Sequence, residues 1–119
     1  MDESRDSQPV LTVVFFLTAA GREPVRDWLL GLDRGGRRAV GQDIKTAQYG
    51  WPLGMPLIRK LEPGLWEVRS HIPIGIARVI FAVEGESLVL LHGFIKKSQR
   101  TPAADLRTAR QRLAELRKG

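Results

Sequence analysis

The order of apolar and polar stretches along the chain predicts one small α+β domain. An apolar run at residues 10–17 predicts a first strand, and its nearly unbroken hydrophobicity indicates burial on both faces. Helical spacing then predicts a short helix that starts near Pro24 and ends at Gly35-Gly36, and a second helix that ends near Tyr49. Residues 50–64, rich in glycine and proline, are interpreted as an ordered loop.

The second half of the chain predicts three strands at residues 65–71, 74–83 and 87–94, joined by short turns as an antiparallel meander. A last helix starts at Pro102. The order β-α-α-β-β-β-α indicates a mostly antiparallel curved sheet, with two N-terminal helices on one face and a C-terminal helix. Residues 1–9 are expected to form a flexible tail, and residues 10–119 a single domain.

The positive charge is concentrated at the C-terminal end. Residues 96–119 contain eight Lys or Arg against Asp105 and Glu115, whereas residues 1–95 contain eleven basic and eleven acidic side chains. The whole net charge of +6 therefore belongs to the last fifth of the chain. Such asymmetry predicts a polyanionic partner.

Composition excludes several classes of function. The chain has no cysteine, so it has no disulfide framework, thiol nucleophile or thiolate metal site. Its two histidines, His71 and His92, have no acidic residues at ligand spacing, so no metal is expected. The polar, acidic start is unlike a signal peptide, and no apolar run approaches the roughly 20 residues that span a bilayer. We expect a cytoplasmic protein without membrane contact.

Charged residues in the predicted meander are candidates for chemistry. Alternation places Glu67 and Arg69 on the face opposite to Trp66 and Val68. Arg78 interrupts an otherwise apolar run, and a charge there costs several kcal/mol unless it is paired or reaches a cleft. Together with the pair at Lys96 and Lys97, which follows the last strand, these side chains can converge on one concave face. The candidate residues are Glu67, Arg69, Arg78, Lys96 and Lys97.

Each candidate also has a purely structural interpretation. Glu67 and Arg78 can form a cross-strand ion pair, and Lys96-Lys97 can be a solvated loop end. His92, in phase with the apolar residues of its strand, is interpreted as structural. The last helix has a narrow stripe whose arginine-rich flanks can serve solubility alone. That stripe can pack on the protein's own sheet or, as we slightly favour, dock an acidic partner segment. It consists of Leu106, Ala109, Leu113 and Leu116.

Three segments recur together, in a fixed order, in one known group of proteins. They are LWEVR at residues 65–69, ARVIF at residues 77–81 and LLHGFIKKSQRTP at residues 90–102. The last of them is the most specific. In order and spacing they resemble the RelE/HigB superfamily of toxins, especially its phage-derived HigB-like branch, over residues 10–115.

The resemblance implies a RelE-like fold and the toxin of a type II toxin–antitoxin system. Such a toxin is a metal-independent endoribonuclease without cofactors that cuts mRNA on the ribosome. It is neutralised by a cognate antitoxin, which we expect to be a helix-turn-helix protein. By motif position, the implied catalytic residues are Glu67 as general base, Arg78 on the scissile phosphate and Lys96 for transition-state charge. The implied RNA- or phosphate-binding residues are Arg69, Lys97 and Arg100.

The chain departs from the family pattern in its aromatic residues. Ile76-Ala77 precede Arg78 where many relatives carry an aromatic residue, and the only tyrosine is Tyr49. These departures affect base stacking and proton transfer. The alternatives to an RNase are a non-catalytic nucleic-acid-binding module and a phage-related interaction protein.

Overall fold

The computed structural model describes residues 8–96 and 100–119. In these residues it has a five-stranded mixed sheet and three helices. The elements in chain order are β1 (Thr12–Phe15), α1 (Pro24–Leu30), α2 (Arg34–Gly50), β2 (Ile58–Glu62), β3 (Leu65–Ile72), β4 (Gly75–Glu84), β5 (Ser87–Lys96) and α3 (Ala103–Lys118). The predicted α+β class and the order of the predicted elements are confirmed, with one additional strand.

The sheet has the strand order β1-β5-β4-β3-β2. Strands β2 to β5 pair as antiparallel neighbours, which confirms the predicted meander, whereas β1 joins β5 in parallel. Strand β4 is therefore the central strand. Its two faces are buried along most of its length, as its apolar sequence indicates.

The additional strand, β2, lies in the stretch that the sequence pattern assigned to a loop. That assignment is wrong for residues 58–62. Ile58 is buried opposite Val68, and Arg59 is opposite Glu67 on β3. The sequence did not reveal this strand because it is only five residues long, follows a segment rich in glycine and proline, and lacks apolar–polar alternation.

Helices cover both faces of the sheet. The α1–α2 face packs under α1 and α2 and includes Val68, Val79, Phe81, Leu88 and Leu90. The α3 face packs under α3 and includes Leu65, Ile80, Ala82, Val89 and Leu91. The prediction of two N-terminal helices on one face is confirmed, and the predicted apolar stripe of the last helix covers the other.

The first strand is shorter and more exposed than its hydrophobicity indicated. Only residues 12–15 pair with β5, and Val14 and Leu17 are 40% and 60% exposed. Burial on both faces was predicted wrongly because β1 is an edge strand. It has one neighbour in the sheet, so its outward residues are not enclosed.

The break between the first two helices also differs from the prediction. Helix α1 ends at Leu30, and Gly35-Gly36 belong to the first turn of α2. Asp33 is the N-cap of α2, and its Oδ1 accepts a hydrogen bond of 2.9 Å from the Gly36 backbone N–H. A Cβ at Gly36 would lie 2.7 Å from that oxygen, so this glycine allows the close approach of the cap rather than ending a helix.

The predicted N-terminal tail lies mostly outside the described residues. Of the predicted tail, only residues 8–9 belong to the described part; residues 1–7 lie outside it. None of the helices formed by residues 8–96 and 100–119 has the length and hydrophobicity needed to cross a membrane.

We expect Gly93→Ala to destabilise the protein by about 1–3 kcal/mol because of overpacking. Gly93 lies on the α1–α2 face of β5, where a Cβ would approach Cδ2 of Trp28 to 2.6 Å. Gly41→Ala is the matched control, because a Cβ there meets nothing within 4 Å. Because Gly41 lies in the middle of α2, Gly41→Ala should raise the free energy of unfolding by roughly 0.5–1 kcal/mol. Urea denaturation measures both; equal stability of the two variants would contradict the packing argument.

Candidate functional site

A β-bulge decides which side chains of β5 share the α3 face. Phe81 pairs with Leu90 but Ile80 pairs with His92, so Leu91 is the extra residue. The inward-outward alternation shifts by one residue at this point, since a one-residue slip exchanges the two faces. The predicted phase of His92 with Leu88 and Leu90 is therefore wrong. Beyond the bulge, His92, Phe94 and Lys96 lie on the α3 face.

Glu67, Arg69 and Arg78 form what we call the polar cluster, on the α3 face beyond the apolar residues that α3 covers. Glu67 and Arg78 are 0% exposed and Arg69 is 8% exposed. The Arg69 Nε lies 3.8 Å from the Glu67 Oε1. Alternation along β3 thus separates Glu67 and Arg69 from Trp66 and Val68 as predicted.

The cluster places like charges next to each other. Arg69 and Arg78 are direct partners on antiparallel strands, an arrangement that is unfavourable without an anion nearby. Burial lowers the pKa of Arg78, the Glu67 carboxylate raises it, and the positive charges of Arg69 and Arg59 lower it further. An arginine remains cationic at neutral pH despite such a shift. Glu67 is the carboxylate that lies beside this pair of guanidinium groups.

The segment before α3 contacts this cluster through Thr101. Its hydroxyl donates a hydrogen bond of 3.0 Å to the Glu67 Oε2. The sequence predicted that Thr101-Pro102 opens the helix, and α3 does start at Ala103, but its N-cap is Pro102 and has no side-chain hydrogen bond. The Thr101 hydroxyl orients the carboxylate instead of capping the helix.

His92 links β5 to α3, in agreement with its structural interpretation. Its Nε2 lies 2.6 Å from Asp105 Oδ1, and its Nδ1 lies 3.4 Å from Arg112 Nη1. An arginine can only donate, so this geometry favours the tautomer with the proton on Nε2. The His92 ring also packs against Phe94, whose ring centroid lies 5.9 Å from the guanidinium carbon of Arg78.

Two of the remaining predicted site residues, Lys96 and Arg100, are exposed near the polar cluster. Lys96 ends β5 on the α3 face and is exposed, two residues beyond Phe94. Arg100 is exposed and precedes Thr101 in the chain. Lys97 lies outside the described residues. Tyr49 is on the C-terminal turn of α2, so the only tyrosine of the chain is not part of the polar cluster.

Arg59 is a candidate that the sequence pattern did not reveal. It is partly exposed on β2, opposite Glu67, and its charge acts on Arg78. The sequence of β2, with two adjacent basic residues after Ile58, has no apolar–polar alternation that would have identified it as a strand.

Two of the arginines that flank the stripe of α3, Arg110 and Arg117, bind acidic residues of the sheet. Arg110 makes hydrogen bonds as short as 2.6 Å to Glu62, and Arg117 Nε lies 2.9 Å from Glu84. The hydrogen bond from Arg110 lowers the pKa of Glu62. Ala109 and Leu113 are buried against the sheet. The slight preference for the stripe as a docking surface is therefore wrong, because its apolar residues are already covered.

A shallow cleft of about 320 Å³ borders the polar cluster at Arg69. Its other lining residues are Asp43, Pro56, Leu57 and His71. In the described part of the chain, no three His, Asp or Glu side chains are close enough together to hold a metal ion. The described site residues offer guanidinium, ammonium, carboxylate and hydroxyl groups.

We expect Thr101→Val to lower the free energy of unfolding by about 1–3 kcal/mol, since it leaves a buried carboxylate oxygen without its donor. Thr101→Ser should restore most of the loss. Thr108→Val is the control, because that hydroxyl donates only to the Ala104 carbonyl within α3, and its effect should stay within about 0.5 kcal/mol. Equal losses at the two threonines in chemical denaturation would contradict the role of Thr101.

Comparison with known proteins identifies a family for the chain. The family model described as phage-derived protein Gp49-like (DUF891) matches residues 27–114 of the 119. The match includes all strands of the meander and most of α3. No curated protein matches the chain. Because the family model covers most of the sequence, the protein belongs to the phage-derived Gp49-like family, which is associated with toxins of the RelE/HigB type in toxin–antitoxin systems.

Proposed function

We propose that the protein is the toxin of a type II toxin–antitoxin pair and acts as an endoribonuclease on mRNA at the ribosome. The observation that carries this proposal is the polar cluster. In it Arg69 and Arg78 are paired across neighbouring strands, and Glu67 lies beside Arg69. Paired guanidinium groups suit a phosphate, because they offer several fixed donors and positive charge. Membership in the Gp49-like family supports the assignment as a toxin, whereas the cleavage of mRNA is our proposal.

The reaction that fits these groups is attack of a ribose 2′-OH on the neighbouring phosphate. A bond forms between the 2′ oxygen and phosphorus, and the bond from phosphorus to the 5′ oxygen of the next nucleotide breaks. A base removes the 2′ proton, an acid protonates the 5′ oxygen, and cations stabilise the added negative charge. The products are a 2′,3′-cyclic phosphate and a 5′ hydroxyl.

The chain offers a residue for most of these tasks. Arg78 would hold the scissile phosphate, with Arg69 as a second phosphate contact. Lys96, exposed at the end of β5, would stabilise transition-state charge and can supply the proton for the leaving oxygen. Glu67 is the carboxylate in the cluster and would be the base. Lys97 and Arg100 would bind flanking phosphates.

A non-catalytic RNA-binding module is the second candidate function. The burial of Glu67 and Arg78, both 0% exposed, favours it, because a base and a catalytic cation must touch the substrate. In that case Glu67 serves as the counter-charge of the arginines. Mapping mRNA ends in translating cells after induction distinguishes the candidates, since only an RNase produces new ends.

A cognate antitoxin follows from the toxin assignment, and we expect a helix-turn-helix protein. The apolar stripe of α3 is covered by the sheet, so the antitoxin would instead contact exposed basic side chains near the polar cluster, such as Lys96 and Arg100. An acidic segment that folds on binding suits such a surface.

We expect Arg78→Gln to abolish growth arrest on expression, because the phosphate loses its central cation. Arg38→Gln, on the exposed side of α2, is the control with the same change of charge and should remain toxic. Breaking the buried charge set can cost about 3–5 kcal/mol, so circular dichroism must show that Arg78→Gln is folded. Full toxicity of the folded variant would refute the role of Arg78.

Arg78→Lys provides a second measurement if the glutamine variant unfolds. It keeps the positive charge but removes the planar fork that binds phosphate through two donors. We expect weakened but detectable mRNA cleavage from it, and wild-type cleavage would show that only the charge matters.

For Glu67→Gln, base catalysis predicts nearly unchanged RNA binding and cleavage slowed by roughly 10²–10⁴-fold. A counter-charge role predicts reduced stability with an unchanged rate per folded molecule. Cleavage rate and unfolding free energy measured on the same preparation separate the two roles. Our proposal requires the first result.

A further inference from the structure

We propose that the cleft beside Arg69 binds one base of the RNA, and that Asp43 makes this cleft selective for guanine. The cleft has a volume of about 320 Å³, at the lower end of the range of small-ligand sites. It is lined by Asp43, Pro56, Leu57, Arg69 and His71. The assignment rests on the proposed function and adds to it a contact with a base.

The cleft lies where the outer edge of β3 loses its neighbouring strand. Strand β2 begins at Ile58, and the residue before it, Leu57, accepts a hydrogen bond of 2.9 Å from the Arg69 backbone N–H. In the part of the chain that the structure describes, residues 70–72 of β3 therefore have no strand on this side. Helix α2 packs against β3 and contributes Asp43 to the cleft. A ligand thus finds room between this helix and the end of β3.

Asp43 is a half-buried carboxylate that needs donors. Within residues 8–96 and 100–119, its side chain makes no hydrogen bond and no ion pair. Asp105, which is also half-buried, differs in this respect because His92 lies 2.6 Å from it. A carboxylate can only accept hydrogen bonds, and partial burial without donors is unfavourable. Asp43 therefore suits a ligand that brings N–H groups.

The other lining residues favour a flat, neutral ring. Asp43 repels a phosphate, so the cleft suits a part of RNA other than its backbone. Pro56 and Leu57 give the cleft an apolar wall, and the exposed imidazole of His71 offers a planar surface. Bases of single-stranded RNA are bound in this way, with their faces packed on side chains and their edges hydrogen-bonded. A lysine or arginine of a protein partner would use the carboxylate but would leave the apolar wall without a contact.

Guanine fits a carboxylate better than the other three bases. Its Watson–Crick edge has two adjacent donors, N1–H and the N2 amino group, which can both bind one carboxylate. Adenine and cytosine place an amino donor next to a ring-nitrogen acceptor, and uracil has one N–H between two carbonyl oxygens. Those acceptors would face the Asp43 oxygens with no proton between them, which is unfavourable. His71, on the same cleft, can donate to the guanine O6.

The cleft is close enough to the proposed phosphate site to act on the same RNA strand. Arg69 borders the cleft and is the direct partner of Arg78 on β4. Directly paired residues of neighbouring strands are only about 5 Å apart. When a phosphate lies at Arg78, a nearby nucleotide can therefore place its base in the cleft. Guanine would be preferred within a few nucleotides of the cut.

The first test is the base preference of mRNA cleavage. Asp43→Ala removes the carboxylate from the cleft, and Asp27→Ala, on the exposed side of α1, is the control with the same change of side chain and charge. After induction in translating cells, mapped mRNA ends should show guanine enriched at a fixed position near the cut for wild type and Asp27→Ala. For Asp43→Ala we expect new ends without this enrichment.

The second test is binding to fluorescent, single-stranded 2′-O-methyl oligouridylates of about 12 nucleotides with one central guanosine or inosine. The 2′-O-methyl group prevents cleavage, and inosine lacks only the N2 amino group of guanosine. A hydrogen bond to a charged group contributes enough that wild type and Asp27→Ala should bind the guanosine probe roughly 10-fold more tightly. Asp43→Ala should bind the two probes equally.

The contrary results separate the cleft from the proposed function. New mRNA ends with the same base preference in wild type and Asp43→Ala would overturn the assignment of the cleft while the endoribonuclease stands. Equal binding of the two probes by wild type would overturn it as well, and would leave a cationic side chain of a protein partner as the alternative ligand of Asp43. If induction produces no new mRNA ends, the proposed function fails, and the ratio of the two probe affinities still decides the role of the cleft.

Discussion

A cation buried inside a sheet needs an anion close by, and this requirement organises one face of the fold. Arg78 lies in a strand that is otherwise almost wholly apolar, directly opposite Arg69. Two adjoining guanidinium groups of low exposure are unfavourable by themselves. Glu67 supplies negative charge on the same face, and Thr101 orients its carboxylate from the segment before α3. The fold therefore keeps two guanidinium groups and one carboxylate together in a buried setting on the α3 face.

The bulge at Leu91 connects this environment to the end of β5. Without the extra residue, Phe94 and Lys96 would point to the α1–α2 face, away from Arg78. With it, the Phe94 ring lies beside the Arg78 guanidinium and Gly93 packs under Trp28. A bulge is a common means of redirecting side chains near functional sites. Here the bulge places the Phe94 ring on the α3 face beside Arg78, whereas the only tyrosine, Tyr49, lies on α2.

Helix α3 has a structural role that its composition conceals. Its basic residues suggest a polyanion-binding surface, yet Arg110 and Arg117 bind Glu62 and Glu84 of the sheet, and Arg112 donates to the Leu91 carbonyl. Together with the His92–Asp105 contact, these bonds hold the helix against β2, β4 and β5. The position of Thr101, and thus of the Glu67 carboxylate, depends on where this helix docks.

The sequence by itself determined the α+β class, the three strands of the meander and the shared face of Glu67 and Arg69, because alternation within a strand is a local property. The exceptional position of Arg78 was equally evident, since one charge interrupts a long apolar run. Only the tertiary structure decided that residues 58–62 form a strand, that β5 has a bulge and that the arginines of α3 bind the sheet. These features depend on pairing between distant segments, which no local pattern encodes, and they are what bring Arg59, Phe94 and Lys96 to the same face as Arg78.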